Sequence, residues 1–166
     1  MKQFILESER LRIRRFKLAD AAEYFKMTRD PLIQEYVPFA CENSLEETQE
    51  VILNYYSSCD CTYDFFLVIE EKETQKLVGA IIAISLTSYN FLEVSILTEQ
   101  SSRRKGYMYE ALCTFKDAFE PSTKLLFVIE KDNIASLNTV TKLEGISEEP
   151  SDSLNLQNYR TFSLIV

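Results

Sequence analysis

The sequence predicts an α/β (α+β) fold: a mixed central sheet of about seven strands flanked by helices, formed as one domain over residues 1–166. Three observations predict it. Runs rich in branched and aromatic residues dominate the middle of the chain. Amphipathic runs with helical spacing lie before and after them. A basic, glycine-containing turn at residues 103–106 then joins an apolar strand to a helix. At 166 residues, 46% hydrophobic and 27% charged, the chain is long enough to bury its own core and ordinary for a globular protein.

Each element has a local reason. Leu11-Arg12-Ile13-Arg14 alternates apolar and basic residues, the pattern of a half-exposed strand. Residues 18–25 form a first helix, and Asp30-Pro31 starts a short one, with Pro at an early helical position. Ser44-Leu45-Glu46-Glu47 matches a capping box, and Leu45, Thr48, Ile52 and Tyr55 share the face of a helix reaching about Ser57. Strands follow at 63–70 and 77–86, joined by a polar hairpin loop at 71–75. A turn at 88–90 leads into the strand 91–97. Met108, Ala111, Leu112, Phe115 and Phe119 lie at helical spacing, and Pro121 ends that helix. A strand at 124–130 precedes a helix at 134–143, which Gly145 closes. Residues 159–166 alternate as a last strand, and Pro150 with nearby serines marks a surface loop.

Composition narrows the chemistry. The chain has no histidine, which excludes a histidine base, Ser-His or Cys-His nucleophile pairs and the usual zinc sites. Acid–base work falls to carboxylates, Tyr, Lys, Cys, water or backbone. Cys41, Cys59, Cys61 and Cys113 match no metal-ligand spacing and read as reduced, partly buried residues. The formal charge of −8 argues against nucleic acid and suits a cationic substrate such as a polyamine or a basic protein terminus. No apolar run reaches membrane-spanning length, and charges interrupt the first residues too early for a signal peptide, so the expected location is cytoplasmic.

Against the acidic balance stands the run Arg103-Arg104-Lys105-Gly106-Tyr107-Met108, between the strand and its following helix. Backbone N–H groups at a helix start point outward, the helix dipole adds positive potential, and three cationic side chains reinforce it. This is an anion site suited to phosphate, with a solvated basic turn as the alternative. The absence of Gly-Lys-Ser/Thr and of a dinucleotide glycine fingerprint argues against nucleotide-binding loops.

The order of elements and two motifs resemble the GNAT superfamily of acyl-CoA-dependent N-acetyltransferases, over nearly the whole chain. The family's phosphate loop reads Gln or Arg, two free positions, Gly, one free position, then Gly or Ala. Arg103 and Gly106 fit, and Met108 departs. Tyr109-Glu110-Ala111 resembles the Thr-Glu-Ala of the subgroup that acetylates ribosomal-protein termini (the RimJ/RimL type). Asn133, Ser136 and Lys142-Leu143-Glu144-Gly145 resemble a second signature, with Glu144 as one extra residue.

The resemblance implies acetyl-CoA as co-substrate, no metal, direct transfer to a primary amine, and often a homodimer. It implies that N–H groups from Arg103 to Met108 hold the pyrophosphate and that Ile96, Leu97 and Thr98 present free backbone groups to pantetheine. Asn133 would hold the pantetheine arm, or cap the last helix. Glu93, in an apolar strand on the same face as Leu97, would be the base, as the matching Glu is in polyamine acetyltransferases of the superfamily, or a solvent-facing strand residue. Val140 occupies the position of the family's proton-donating Tyr, leaving Ser136 as donor or as a helix-start hydrogen-bonding residue. A CoA-binding module without turnover is the alternative function. Tyr36, Phe39, Tyr55 and Tyr56 lie in the region that forms the acceptor site in the family, and most read as core.

Overall fold

Among the described residues, eight strands build one sheet: β1 Ile5–Glu7, β2 Leu11–Arg15, β3 Phe65–Glu71, β4 Leu77–Ser85, β5 Phe91–Thr98, β6 Lys124–Glu130, β7 Ser147–Glu149 and β8 Tyr159–Ile165. The computed structural model describes residues 4–58, 64–86, 91–150 and 157–166. Cys59, Cys61 and the turn expected at 88–90 lie outside the described residues. The spatial order is β1-β2-β3-β4-β5-β6-β8-β7. Every neighbouring pair is antiparallel except β5 and β6, which run parallel. The sheet is therefore mixed, as the sequence predicts.

The helices are α1 Ala21–Thr28, α2 Pro31–Tyr36, α3 Leu45–Val51, α4 Tyr107–Lys116 and α5 Ile134–Val140. The two-residue strand period sorts the sheet into two faces. On the first, Leu67, Ile81, Leu92, Val94 and Phe127 pack against Met108, Phe115, Leu137 and Val140 of α4 and α5. On the second, Val68, Ala80, Ile82 and Leu97 pack against Tyr24, Ile33 and Ile52, with Phe16 and Tyr56 filling the layer. Each buried Leu, Ile or Phe contributes about 1.5–3 kcal/mol by leaving water, so both layers hold the sheet.

Local chemistry explains most boundaries. Asp30 caps α2 by accepting the Leu32 N–H at 2.9 Å, with Pro31 in the first turn. Ser44 Oγ accepts the Glu47 N–H at 3.0 Å, while the Glu47 carboxylate reaches back to the Asn43 N–H rather than to that of Ser44. After Val51 the helix widens into a π-turn over Ile52–Tyr56, closed by the Ser57 N–H on the Ile52 carbonyl. The expected end of α5 at 143 is three residues too late: Thr141 caps it, and Gly145 sits further on at φ +83°.

Two strands escape the sequence reading. β1 and β7 are three-residue edge strands too short to show alternation. β1 folds back on β2 as a hairpin, whereas β7 is held by ion pairs to β6 and β8. Arg160 grips Glu148 through two hydrogen bonds of 2.8 Å, and Lys124 meets Glu149 at 2.6 Å. A second ion network joins β2, β3 and the start of α1. Arg14 binds Asp20 at 2.8 and 2.9 Å and Glu70 at 2.8 Å, all largely buried.

Gly79 sets how closely β4, β5 and α4 approach. A Cβ there would stand 2.5 Å from the Leu97 carbonyl oxygen and 3.1 Å from Met108 Cε. Gly79→Ala is expected to destabilise the fold by about 1–3 kcal/mol through overpacking against backbone. That is a fall of several degrees in Tm, measurable by thermal unfolding. An unchanged Tm would mean that β5 yields freely at Leu97.

Candidate active site

The parallel ladder between β5 and β6 stops early. Its register runs only through Phe91–Lys124, Leu92–Leu125 and Glu93–Leu126. Beyond Glu93 the strands diverge, although β4 pairs with β5 as far as Thr98 and β8 pairs with β6 as far as Glu130. The gap is a cleft lined by Val94, Ser95 and Ile96 on one side and by Phe127 through Glu130 on the other. Tyr36, Val37, Asn133, Ser136, Val140 and Tyr159 complete its walls.

Backbone direction decides what the cleft offers. Phe91 O and Glu99 N–H both bond toward β4, so the odd-numbered residues of β5 face that strand. Ile96 and Thr98 therefore turn their backbone N–H and C=O into the gap, and Val94 its C=O. Strand groups without a strand partner are strong, directional sites for a ligand amide. Of the three expected residues, Ile96 lines the cleft and Thr98 faces it by this alternation. Leu97 is a correction: its backbone points to β4 and its side chain is buried in the second face. Val94 and Ser95, which the sequence reading missed, take up that part of the wall.

The basic turn lies at the open end of the same gap. A 3-10 turn over Gln100–Ser102 leads to Arg104 at φ +63°, and Gly106, at φ +79°, precedes the first residue of α4. Gly106 is required by this left-handed backbone and not by space, since an added Cβ would meet only Arg10 Nη2, at 3.6 Å. The N–H groups of Arg104 through Tyr109 make no hydrogen bond to described residues. Six consecutive donors at the positive end of a helix dipole form an anion cradle.

The side chains of the turn divide. Arg103 is a correction to the expected cationic trio. Its guanidinium pairs with Asp30 Oδ1 at 3.0 Å and donates to the Thr98 carbonyl at 3.3 Å. It ties the turn to α2 and does not point at a phosphate. Arg10, absent from the motif, donates to the Lys105 carbonyl at 3.1 Å, stacks 4.6 Å over the Tyr107 ring and pairs with Glu110 at 2.6 Å. Glu110 also accepts from Ser8 Oγ and the Arg10 N–H. Burial opposes its ionisation, but these donors hold its carboxyl below the usual range. The Tyr107 hydroxyl donates to Glu71. Met108 turns into the core against Gly79, so its size does not obstruct the cradle.

At the α5 side, Asn133 does two things at once. Its Oδ1 accepts the Ser136 N–H at 3.1 Å, capping the helix. This leaves its amide N–H donors on the cleft wall. The Ser136 hydroxyl makes no hydrogen bond to described residues and lines the cleft beside Val140, which is fully buried. Glu93 stands on the second face at the last paired position, at the closed end of the gap. It is not among the residues lining the cleft. The expected aromatic core is corrected too. Tyr56 is buried and stacks on Phe66, but Phe39 and Tyr55 are 62% and 67% exposed, and Tyr36 lines the cleft. The short turn Pro38–Ala40 directs Phe39 outward.

Sequence reasoning also missed Glu130 and Tyr159, which meet in the cleft wall at 3.3 Å. Neither has a local signal, because they pair across β6 and β8. Among the described residues no helix is long and apolar enough to cross a membrane, and no group of His, Cys, Asp and Glu could hold a metal ion.

A splayed parallel pair beside a helix-start anion cradle defines an acyl-CoA-binding transferase fold. The family of acetyltransferase (GNAT) domains matches residues 10–145, and the chain belongs to it: it is an N-acetyltransferase using acetyl-CoA. Solved structures share the architecture. A GNAT-family acetyltransferase from Bacillus anthracis superposes with a TM-score of 0.79 at 18% identity, covering 98% of each chain. RimL, a ribosomal L7/L12 alpha-N-protein acetyltransferase solved with coenzyme A, gives 0.79 at 15% identity, again over 98% of each chain. The ribosomal-protein-S5-alanine acetyltransferase from Vibrio fischeri gives 0.69 at 18% identity, over 98% and 96%. At these identities the likeness is one of fold. None of the curated protein sequences compared with the chain matches it.

The Arg103–Asp30 pair generates a pH test. Burial raises the Asp30 carboxyl, but Arg103 and the Leu32 N–H outweigh it and hold it below its ordinary 3.8. A depressed carboxylate stabilises the folded state fully above that value and loses this contribution as pH falls through the folded value. Asp30→Asn is expected to cost about 1 kcal/mol at pH 7 and to lose that deficit in acid. Urea midpoints of both proteins at pH 7 and pH 3 measure it. Parallel pH curves would show that the pair does not hold the turn.

Proposed function

We propose that the protein transfers the acetyl group of acetyl-CoA directly to a primary amine within a ternary complex. The acceptor is a protein N-terminus, a polyamine or another small cationic amine. The observation that carries this reading is the continuity between the open β5–β6 gap and the unbonded N–H groups at the start of α4. Together they match a ligand with a pyrophosphate at one end and an amide-bearing arm at the other. The cradle would take the pyrophosphate, and Val94, Ile96 and Asn133 would hold the arm.

The chemistry follows from those positions. The neutral amine nitrogen attacks the thioester carbon, the carbon–sulfur bond breaks, and the thiolate leaves. An N–H of β5 facing the gap stabilises the oxyanion. Glu93, at the closed end of the gap, would take the amine proton through a bridging water, since it is not among the residues lining the cleft. The Ser136 hydroxyl is the donor nearest the position where a Tyr is replaced by Val140. Thiolates leave readily, so this proton is the less demanding one. An α-amino acceptor, with a pKa near ~7.7–8.0, needs less from Glu93 than an alkylamine near ~10.4. A cytoplasmic homodimer belongs to the same reading. The free thiols of Cys41 and Cys113 support the compartment, and the dimer rests on the family resemblance.

Acetyl-CoA at ~100 times its Kd is expected to stabilise the fold by about 2.7 kcal/mol, read as a rise in Tm against phosphate and ATP controls. Gly106→Asp is expected to abolish the rise, by strain at a left-handed position and by negative charge in the cradle. An equal rise with ATP would remove the basis for acetyl-CoA. Glu93→Gln is expected to lower kcat by about 10²-fold with little change in acetyl-CoA affinity. An unaltered pH–rate profile would make Glu93 a structural residue.

A further inference from the structure

Among the described residues, the cleft has one charged side chain in its lining, Glu130, and no cation. Its position follows from register. Glu93 pairs with Leu126, and Glu130 pairs with Tyr159, so the two-residue period puts Glu93, Glu130 and Tyr159 on the second face. That is the face carrying α1 and α2 and opposite α4 and α5. Glu130 lies four residues beyond Leu126, about 13 Å along β6 at ~3.3 Å per residue. It therefore stands at the open mouth, far from the closed end where Glu93 lies.

The surroundings of Glu130 leave it a free acceptor. The Tyr159 hydroxyl donates to Oε1 at 3.3 Å, and Oε2 accepts nothing from the described residues. Tyr36 closes the same mouth from α2. Lys131, next in sequence, donates to the Gln157 carbonyl, and Arg160, beside Tyr159, pairs with Glu148. The charge of Glu130 is the chief influence raising the Tyr159 phenol. Tyr36 is raised by burial and then by Glu35, Asp132 and Glu130, which marks this mouth as a region of negative potential.

We propose that Glu130, flanked by Tyr36 and Tyr159, is a cation seat for the acceptor, binding an ammonium or guanidinium remote from the amine that is acetylated. This rests on the acetyl-transfer reading and narrows its acceptor to amines with a second positive charge. A carboxylate sharing a cleft wall with two tyrosines suits such a group, through a charge-assisted hydrogen bond on the free oxygen. The second charge has two chemical sources, a polyamine or a basic side chain close behind a peptide N-terminus.

The test compares α,ω-diamines of four to eight carbons with n-alkylamines of equal length, and peptides beginning Ser-Lys with peptides beginning Ser-Gln. The wild type is expected to prefer the dicationic member of at least one pair by about tenfold or more in kcat/KM. Glu130→Gln should bring that ratio near unity, and Glu130→Asp should restore part of it. The acetyl-CoA-dependent rise in Tm checks that each variant folds. The pair that shows the preference identifies the source of the charge. Calorimetric titration of the CoA-loaded protein with the diamines and the Ser-Lys peptide reads the seat without turnover. A ratio near unity in the wild type, or one that survives Glu130→Gln, would overturn the seat and leave acetyl transfer standing. Binding that depends on Glu130 without acetylation of any amine would keep the seat and overturn the transfer reading. Neither binding nor transfer would overturn both.

Discussion

The early end of the β5–β6 ladder is the constraint on which the rest of the site depends. Two parallel strands that stop pairing after three register positions expose backbone donors and acceptors on both sides of the gap. Such groups are costly to leave unpartnered away from water. The strands stay regular because each keeps a full ladder on its outer side, β5 with β4 and β6 with β8. The gap is thus held open by the two halves of the sheet, and an amide-bearing ligand arm can complete it as a missing strand would.

Electrostatics gives the gap a direction. At the start of α4, the unbonded N–H groups present positive potential in a protein of net charge −8. At the mouth on the opposite face, the only charge in the lining among the described residues is the carboxylate of Glu130. An anionic thioester carrier and a cationic amine are thereby drawn to the open mouth from opposite faces of the sheet. The basic side chains contribute less to this than their number implies. Arg103 is spent on Asp30 and Thr98, while Arg10, remote in sequence, braces the turn through Lys105, Tyr107 and Glu110.

The departures from the family pattern are absorbed by neighbours. Met108, in place of a small residue, packs into the core over Gly79, where the absence of a Cβ makes room for both it and the Leu97 carbonyl. Val140, in place of a Tyr, fills core volume and leaves the Ser136 hydroxyl on the adjoining wall. The extra residue Glu144 is accommodated in the turn after α5, where Gly145 still adopts a positive φ.

Much of this was legible in the sequence by itself. Alternation, helical spacing and helix-start residues located six strands and the five α-helices of the described residues. The Gly106 turn and the Asn133 cap announced themselves by residue type and position, and the strand period put Glu93 on the face of Leu97. These are local properties, fixed by backbone sterics and by which side of an element a residue takes. What only the tertiary structure decided are the meetings of distant segments: the edge strand β7, the divergence of β5 from β6, the Arg103–Asp30 pair, and the junction of Glu130, Tyr159 and Tyr36. None has a local signature, because each depends on how two packed faces position strands and helices from remote parts of the chain.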